Sequence, residues 1–143
     1  MMNQITSLLL ACSTLAILTF GVGIRMFVIR IREMKKEHIR PQSIALSSSR
    51  AKRLQDSRVS DNYNHLFELP VLFYTLCALA IASQHIPGWL PVSAWVFVIL
   101  RIIHSLIQCS YNKVMHRFLV FLMGFILLGL MWIAFTISYN LVQ

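Results

Sequence analysis

The chain is short of charge, and above all of acidic residues: its 143 residues include only five Asp and Glu. Charged residues make up 13% of the chain, whereas an ordinary soluble domain has about 25%. Hydrophobic residues make up 57%. A water-soluble globule of this length could not cover so much apolar surface, and a disordered chain would not carry it. The composition is therefore that of one integral membrane domain.

Other absences exclude further classes of protein. So few acids cannot build a carboxylate metal site, and we expect no metal. The three cysteines form no C-x-x-C motif and no zinc-like spacing with histidine. We interpret them as small hydrophobic residues, with a redox or disulfide role as the alternative. The net charge of +8 comes without an aromatic-interleaved basic patch, so we expect no nucleic-acid partner.

Four apolar segments are long enough to cross a bilayer, which takes about 20 residues in a helix. We predict an all-α, integral membrane four-helix bundle in a single domain over residues 1–143. The first segment has its basic flank after it rather than before it, so we expect an uncleaved span and not a signal peptide. The predicted spans are at about residues 5–29, 63–84, 90–112 and 117–140.

Basic residues collect in two of the three connections between spans. Ten of the 13 Lys and Arg lie in residues 25–58, around a long loop of about residues 30–61. Two more lie in the third connection, residues 112–117, whereas the second, residues 85–91, has none. The positive-inside rule therefore puts the first and third connections in the cytoplasm. Both termini then face the non-cytoplasmic side, and we expect the cell inner membrane as the location.

The long basic loop has two interpretations. It can set the topology and attract anionic lipid head groups, at about 1 kcal/mol per cation near the surface. Membrane lipid is then an expected partner. Alternatively, the loop can form a mouth that binds a charged ligand. The charges within residues 30–37 fall on helical spacing, which predicts that the first helix continues beyond the membrane.

The third span carries polar side chains on one face. Arg101, His104, Gln108 and Tyr111 follow one another at intervals of three, four and three residues, which places them on one side of a helix. An arginine near the bilayer centre costs about 2.5–3.5 kcal/mol on insertion scales, so it must face other helices or trapped water. Glu68 is the only acid in any predicted span, and we predict that it pairs with Arg101.

The predicted pair of Glu68 and Arg101 could form within one chain or across an interface between chains, and in either case it has two interpretations. It can be an ion pair that holds helices together, or it can shape a polar ligand pocket. His104 is likewise either a packing histidine or part of that pocket. Pro70 lacks an N–H, so we expect it to kink the second span or to free a carbonyl near residue 66.

Two stretches of the chain resemble the MAPEG superfamily, the membrane-associated proteins in eicosanoid and glutathione metabolism. The sequence DNYNHLFELPVLFY of residues 61–74, preceded by Arg58, looks like the bacterial branch of that family. RIIHS at residues 101–105, followed by Arg117, resembles its prostaglandin-synthase-like members. The resemblance implies a homotrimer of four-helix subunits that bind glutathione between neighbours, near the cytoplasmic side.

The resemblance also implies roles for individual residues. Arg117 matches the arginine that stabilises the glutathione thiolate, and is thus the candidate catalytic residue. Glutathione, as co-substrate, would be bound from the second and third spans by Arg58, Asn62, Asn64, Glu68, Arg101, His104 and Tyr111. Gln108 stands where the family has a tyrosine. Glu68 follows Asn62 by six residues, where the family's glutathione enzymes have a shorter spacing.

Three functions remain open from the sequence. The resemblance implies a glutathione-dependent transferase or peroxidase that acts on a lipophilic small molecule. The alternative is a non-catalytic membrane subunit, scaffold or lipid-binding protein with the same fold. Transport or proton conduction through Glu68, Arg101 and His104 is a third possibility. It is disfavoured because residues 95–100 of the third span are apolar.

Overall fold

The computed structural model describes residues 2–39 and 58–141. Within these ranges every regular element is an α-helix, and four segments are long and apolar enough to cross a membrane. The predicted all-α, four-span architecture is confirmed, while the interior of the basic loop lies outside the described residues. The helices are α1 (Met2–Lys36), α2 (Arg58–His65), α3 (Leu69–Ala82), α4 (Leu90–Cys109) and α5 (Val114–Asn140); α2 and α3 together make the second span.

Some helices begin or end at other residues than the predicted spans, and these differences determine where the candidate functional site lies. Helix α1 runs on to Lys36, as the charge spacing predicts. Helix α4 stops at Cys109, three residues before its predicted end. Asn112 then has a φ of 49°, a left-handed conformation that asparagine tolerates better than most residues. The chain reverses there, and α5 begins already at Val114.

The second span is interrupted between His65 and Leu69. In this gap each N–H bonds a carbonyl three residues back, as Phe67 does with Asn64 at 2.9 Å. Pro70 has no N–H with which to continue the preceding helix, and its ring is compatible with the first turn of a new one. The kink predicted at Pro70 is thus present as a break between two helices.

The interior of the bundle is apolar towards the link between α3 and α4. Phe73 and Phe97 stack there with ring centroids 4.8 Å apart, and Leu8, Leu90 and Ala94 are fully buried around them. The outer surface carries many exposed large apolar side chains, on α5 above all. A surface of that kind suits contact with lipid, since hydrocarbon leaves no apolar group in water.

Towards the link between α4 and α5 the interior becomes polar, and Arg101 is the largest fully buried side chain. Its guanidinium carbon lies 5.4 Å from the ring centroids of both Phe97 and Phe121. Nη2 donates to the Phe121 carbonyl at 3.5 Å. Gly124 of α5 faces this group, and a Cβ added there would stand 2.5 Å from Nη2 and 3.3 Å from Cζ. The guanidinium therefore occupies space that only a glycine leaves free.

We predict that Gly124→Ala destabilises the protein by about 1–2 kcal/mol. Overpacking a filled interior costs about 1–3 kcal/mol, and the helix propensity of alanine returns up to about 1 kcal/mol. The guanidinium cannot retreat to water, because Arg101 is 1% exposed and lies between two rings. Thermal or denaturant unfolding in detergent measures the change.

Gly129→Ala is the matched control on the same helix, because nothing lies within 4 Å of its added Cβ. This variant should be neutral or more stable than the wild type. In an Arg101→Gln background the cost of Gly124→Ala should largely disappear, since a shorter side chain vacates the space. Equal effects of the two alanines would contradict the assignment.

Candidate functional site

A cleft of about 190 Å³ opens between α2, α4 and α5, at the end of the bundle where α4 turns into α5. Each of these helices contributes one polar side chain to it: His65, His104 and Arg117, respectively. The rest of the wall is apolar and comes from α5, with Val114, Phe118 and Phe121. The cleft thus combines three nitrogen-bearing side chains with a hydrophobic wall.

Arg117 is the only permanent cation among the residues that line the cleft. Its position follows from the early end of α4, because the turn at Asn112 brings residue 117 into the first turn of α5. Nη1 donates to the Asn112 side-chain oxygen at 2.9 Å, and no carboxylate of the described residues lies within 4 Å. A cation in the first turn opposes the helix dipole. Helix formation therefore does not explain this arginine.

Both ring nitrogens of His104 are used within the protein. Nδ1 lies 3.3 Å from the Arg117 carbonyl and Nε2 lies 3.0 Å from the side-chain amide of Gln108. A neutral ring with Nδ1–H donating to the carbonyl leaves Nε2 as an acceptor, which is matched when the Gln108 amide turns its NH2 group towards it. His104 therefore ties α4 to the first turn of α5.

A second set of polar contacts joins α2 to α4 behind the cleft. Asn62 is fully buried; its Nδ2 donates to the Cys109 sulfur at 3.3 Å. Its Oδ1 accepts from the Ser105 hydroxyl, also at 3.3 Å. Since an amide left without partners in the interior is costly, these contacts fix α2 against α4 and so hold His65 at the cleft.

Two arginines satisfy the free carbonyl groups at the end of α4. Nη2 of Arg25 donates to the Cys109 carbonyl at 3.0 Å, and Nη1 of Arg58 donates to the Ser110 carbonyl at 2.9 Å. Cations favour helix C-termini for this reason. The sequence analysis missed the contact of Arg25, because no local pattern links it to a partner 84 positions away.

The predicted polar face of the third span is confirmed for Arg101, His104 and Gln108, which are all buried. It is wrong for Tyr111, which is 60% exposed and bonds the exposed His116 at 3.2 Å. The physical reason is the end of α4 at Cys109, which removes Tyr111 from the helical register. Asn64, on the surface of α2, is exposed as well.

The predicted direct pair of Glu68 and Arg101 does not form within the described residues. The Glu68 carboxylate instead lies 2.9 Å from Nδ1 of His65. Its charge still acts on Arg101 through space, but two rings and one carbonyl surround that guanidinium. The break before Pro70 turns Glu68 back towards α2. A pair across an interface with another copy remains a prediction.

His65 is the cleft residue that sequence reasoning missed. Its spacing of three residues from Glu68 is the signal that could have found it, since side chains so spaced meet on one side of a helical turn. Among the described residues, no three His, Cys, Asp or Glu side chains come together in a metal-binding group. All three cysteines are free thiols.

Four apolar helical spans with a polar interior at one end define a multi-pass α-helical membrane protein. A profile of the MAPEG family matches residues 8–137, nearly the whole chain, and the protein therefore belongs to the MAPEG family. Neither a search of curated proteins nor a search of solved structures finds a match to this chain.

We expect Asn62→Ala to destabilise the protein by about 1–3 kcal/mol, the usual cost of leaving a buried hydrogen-bonding group without its partner. The orphaned group would be the Ser105 hydroxyl. Asn64→Ala is the matched control on the same helix, and as an exposed substitution it should stay within about 0.5 kcal/mol of the wild type. Unfolding in detergent tests both, and a cost for the Asn64 variant as large as that for Asn62 would contradict the network.

Proposed function

We propose that this protein is a glutathione-dependent transferase or peroxidase that acts on a lipophilic electrophile from the bilayer. Membership in the MAPEG family supports the proposal. The single observation that carries it is Arg117, a half-buried guanidinium with no carboxylate partner among the described residues, in a cleft whose other wall is apolar. A cation kept in such surroundings suits an anionic reacting group.

The chemistry asked of Arg117 is the stabilisation of a thiolate. An ordinary cysteine thiol has a pKa of about 8.5 and is mostly protonated at neutral pH. The thiolate is the nucleophile, and a guanidinium beside the sulfur favours it. A decrease of two pKa units requires about 2.7 kcal/mol of differential stabilisation, within reach of a charge-assisted contact in a poorly solvated cleft.

The apolar wall would receive the electrophile. Val114, Phe118 and Phe121 line the cleft, and Phe118 is also part of the exposed apolar surface of α5. That surface continues along the helix through Leu122 and Phe125. A lipophilic molecule dissolved in the bilayer could therefore reach the cleft along α5 without crossing water. The thiolate would attack its electrophilic atom there.

The remaining candidate glutathione residues divide by exposure. Asn62, Arg101 and His104 are buried, and in this proposal they position the helices around the cleft. Three others are exposed and would contact the tripeptide outside the cleft: Arg58, Asn64 and Tyr111. Glu68 is exposed as well, but its carboxylate bonds the ring of His65, which lines the cleft. A neighbouring subunit of a homotrimer would cover the bound tripeptide, at the cytoplasmic face of the inner membrane.

One observation favours the second candidate, a non-catalytic subunit, scaffold or lipid-binding protein. Asn62 and His104 already have protein partners for their polar atoms. Arg58 is likewise bound to the end of α4. Polar atoms that already have protein partners need no ligand, so these residues alone would serve a scaffold equally well. Arg117 is what separates the two candidates.

Arg117→Ala should abolish the formation of bound glutathione thiolate at neutral pH, because the only permanent cation among the described residues that line the cleft is lost. Arg117→Lys should retain part of it, since a charge remains but the fork of donors does not. The measurement is the ultraviolet absorbance of the thiolate in the detergent-solubilised protein, together with glutathione binding by calorimetry. A thiolate signal that survives in Arg117→Ala would remove the proposed role of this residue.

Lys113→Ala is the matched control: it removes an exposed cation from the same turn but from outside the cleft. It should leave both the absorbance and the binding unchanged. If the wild type does not bind glutathione at millimolar concentration, the enzyme proposal is wrong and the second candidate stands.

A further inference from the structure

The two histidines of the cleft differ in what their nitrogens can do. In His104 both nitrogens have partners, the Arg117 carbonyl and the Gln108 side chain. In His65 only Nδ1 has one, the Glu68 carboxylate at 2.9 Å. No other group of the described residues bonds His65, which lines the cleft. Of the two rings, only that of His65 has a nitrogen available to a ligand.

The contact with Glu68 fixes the tautomer of the neutral ring. A carboxylate accepts hydrogen bonds and does not donate them, so Nδ1 carries the hydrogen and Nε2 of the neutral ring carries a lone pair. A carboxylate in this place also stabilises the ring when Nε2 becomes protonated. A carboxylate and a histidine in this relation are the usual arrangement of a general base.

Neighbouring elements hold the imidazole in place. The ring of His104 on α4 lies edge-on to it at 5.9 Å, and that of Phe121 on α5 lies at 6.3 Å. Glu68 itself lies in the break between α2 and α3 that Pro70 imposes. The spacing of three residues brings the two side chains together across this break, as it would within a helical turn.

We propose that His65 is a catalytic general base of this cleft and that Glu68 is its positioning residue. The inference rests on the proposed glutathione chemistry. In the first step the S–H bond of glutathione breaks, its electron pair stays on sulfur, and the proton moves to Nε2 of His65. The products are two matched pairs of charges, imidazolium with Glu68 and thiolate with Arg117, so the cleft gains no net charge.

The proton held by His65 accelerates the reaction most for substrates whose leaving group must be protonated. When the thiolate attacks an epoxide carbon, the C–O bond breaks and an alkoxide forms, which takes the proton back from Nε2. When it displaces chloride from an aryl chloride, the leaving anion needs no proton. His65 therefore serves electrophiles with a basic oxygen leaving group, such as epoxides, more than halides.

Proton release upon binding tests the transfer without any variant. At mildly alkaline pH, where an ordinary histidine is neutral, glutathione binding to the wild type should release no proton to the buffer, because His65 retains it. Calorimetry in two buffers of different ionisation enthalpy measures this, with thiolate absorbance recorded in parallel. In His65→Gln, Arg117 still favours the thiolate, and a proton should now appear in the buffer.

Turnover supplies the second measurement. His65→Gln should reduce kcat with an epoxide on the order of 10²-fold, the typical contribution of a general acid–base group, and should reduce kcat with an aryl chloride much less. S-hexylglutathione, which has no thiol proton, should bind the variant as it binds the wild type. The kcat of Glu68→Gln with the epoxide should lie between those of the wild type and His65→Gln. Glu68→Asp should recover part of the kcat that Glu68→Gln loses.

His85→Gln is the matched control. His85, in the link between α3 and α4, also bonds a side chain, the Ser138 hydroxyl of α5 at 2.8 Å, but lies outside the cleft, so its replacement should leave the number of protons released and the turnover unchanged. If the wild type forms the thiolate and releases the proton, or if His65→Gln turns over the epoxide within twofold of it, His65 is not the base. If the wild type does not bind S-hexylglutathione, the glutathione proposal itself is wrong.

Discussion

The accommodation of one buried guanidinium determines how the polar end of this bundle is built. Arg101 lies inside a membrane domain with no carboxylate in direct contact among the described residues. Its charge is instead met by two aromatic faces and one carbonyl, which are weaker partners but cost no second buried ion. This arrangement requires α5 to pass close by, and Gly124 permits the approach. The packing of α4 against α5, on which the cleft depends, is therefore determined by the space that Arg101 needs.

The sequence predicts most of the fold, because the fold rests on signals that a single span carries. Apolar length predicts the four spans, and the polar spacing of the third span predicts the buried face of Arg101, His104 and Gln108. Pro70 predicts the break in the second span for a local reason, the missing N–H. Each of these patterns can be interpreted from the sequence of one span, without the position of a neighbouring helix. For that reason the sequence alone predicts them.

The parts of the site that could not be predicted depend on where a helix ends. Periodicity continues Tyr111 along the buried face, but α4 has already ended at Cys109 and the chain reverses at Asn112. The same turn places Arg117 on the cleft, which an uninterrupted helix would not do. Glu68 lies in the break between α2 and α3, and its carboxylate contacts His65 rather than Arg101. A helix end that is followed by one residue in the left-handed conformation has almost no signal in the spacing of hydrophobic residues.

The polar residues of this end have two different relations to their surroundings, and the difference bears on function. Asn62, His104 and Gln108 contact other protein groups and are buried, as residues that fix helices in place must be. His65 and Arg117 line the cleft, and each retains hydrogen-bonding capacity that the described residues do not use. Buried polar atoms without a partner also occur behind the cleft, at Nε of Arg101 and at one atom of the Gln108 amide, so unused capacity alone does not mark a ligand site. His65 and Arg117 differ from them because they line the cleft beside its apolar wall, and in the proposed thiol chemistry they would serve as the proton acceptor and the stabilising cation.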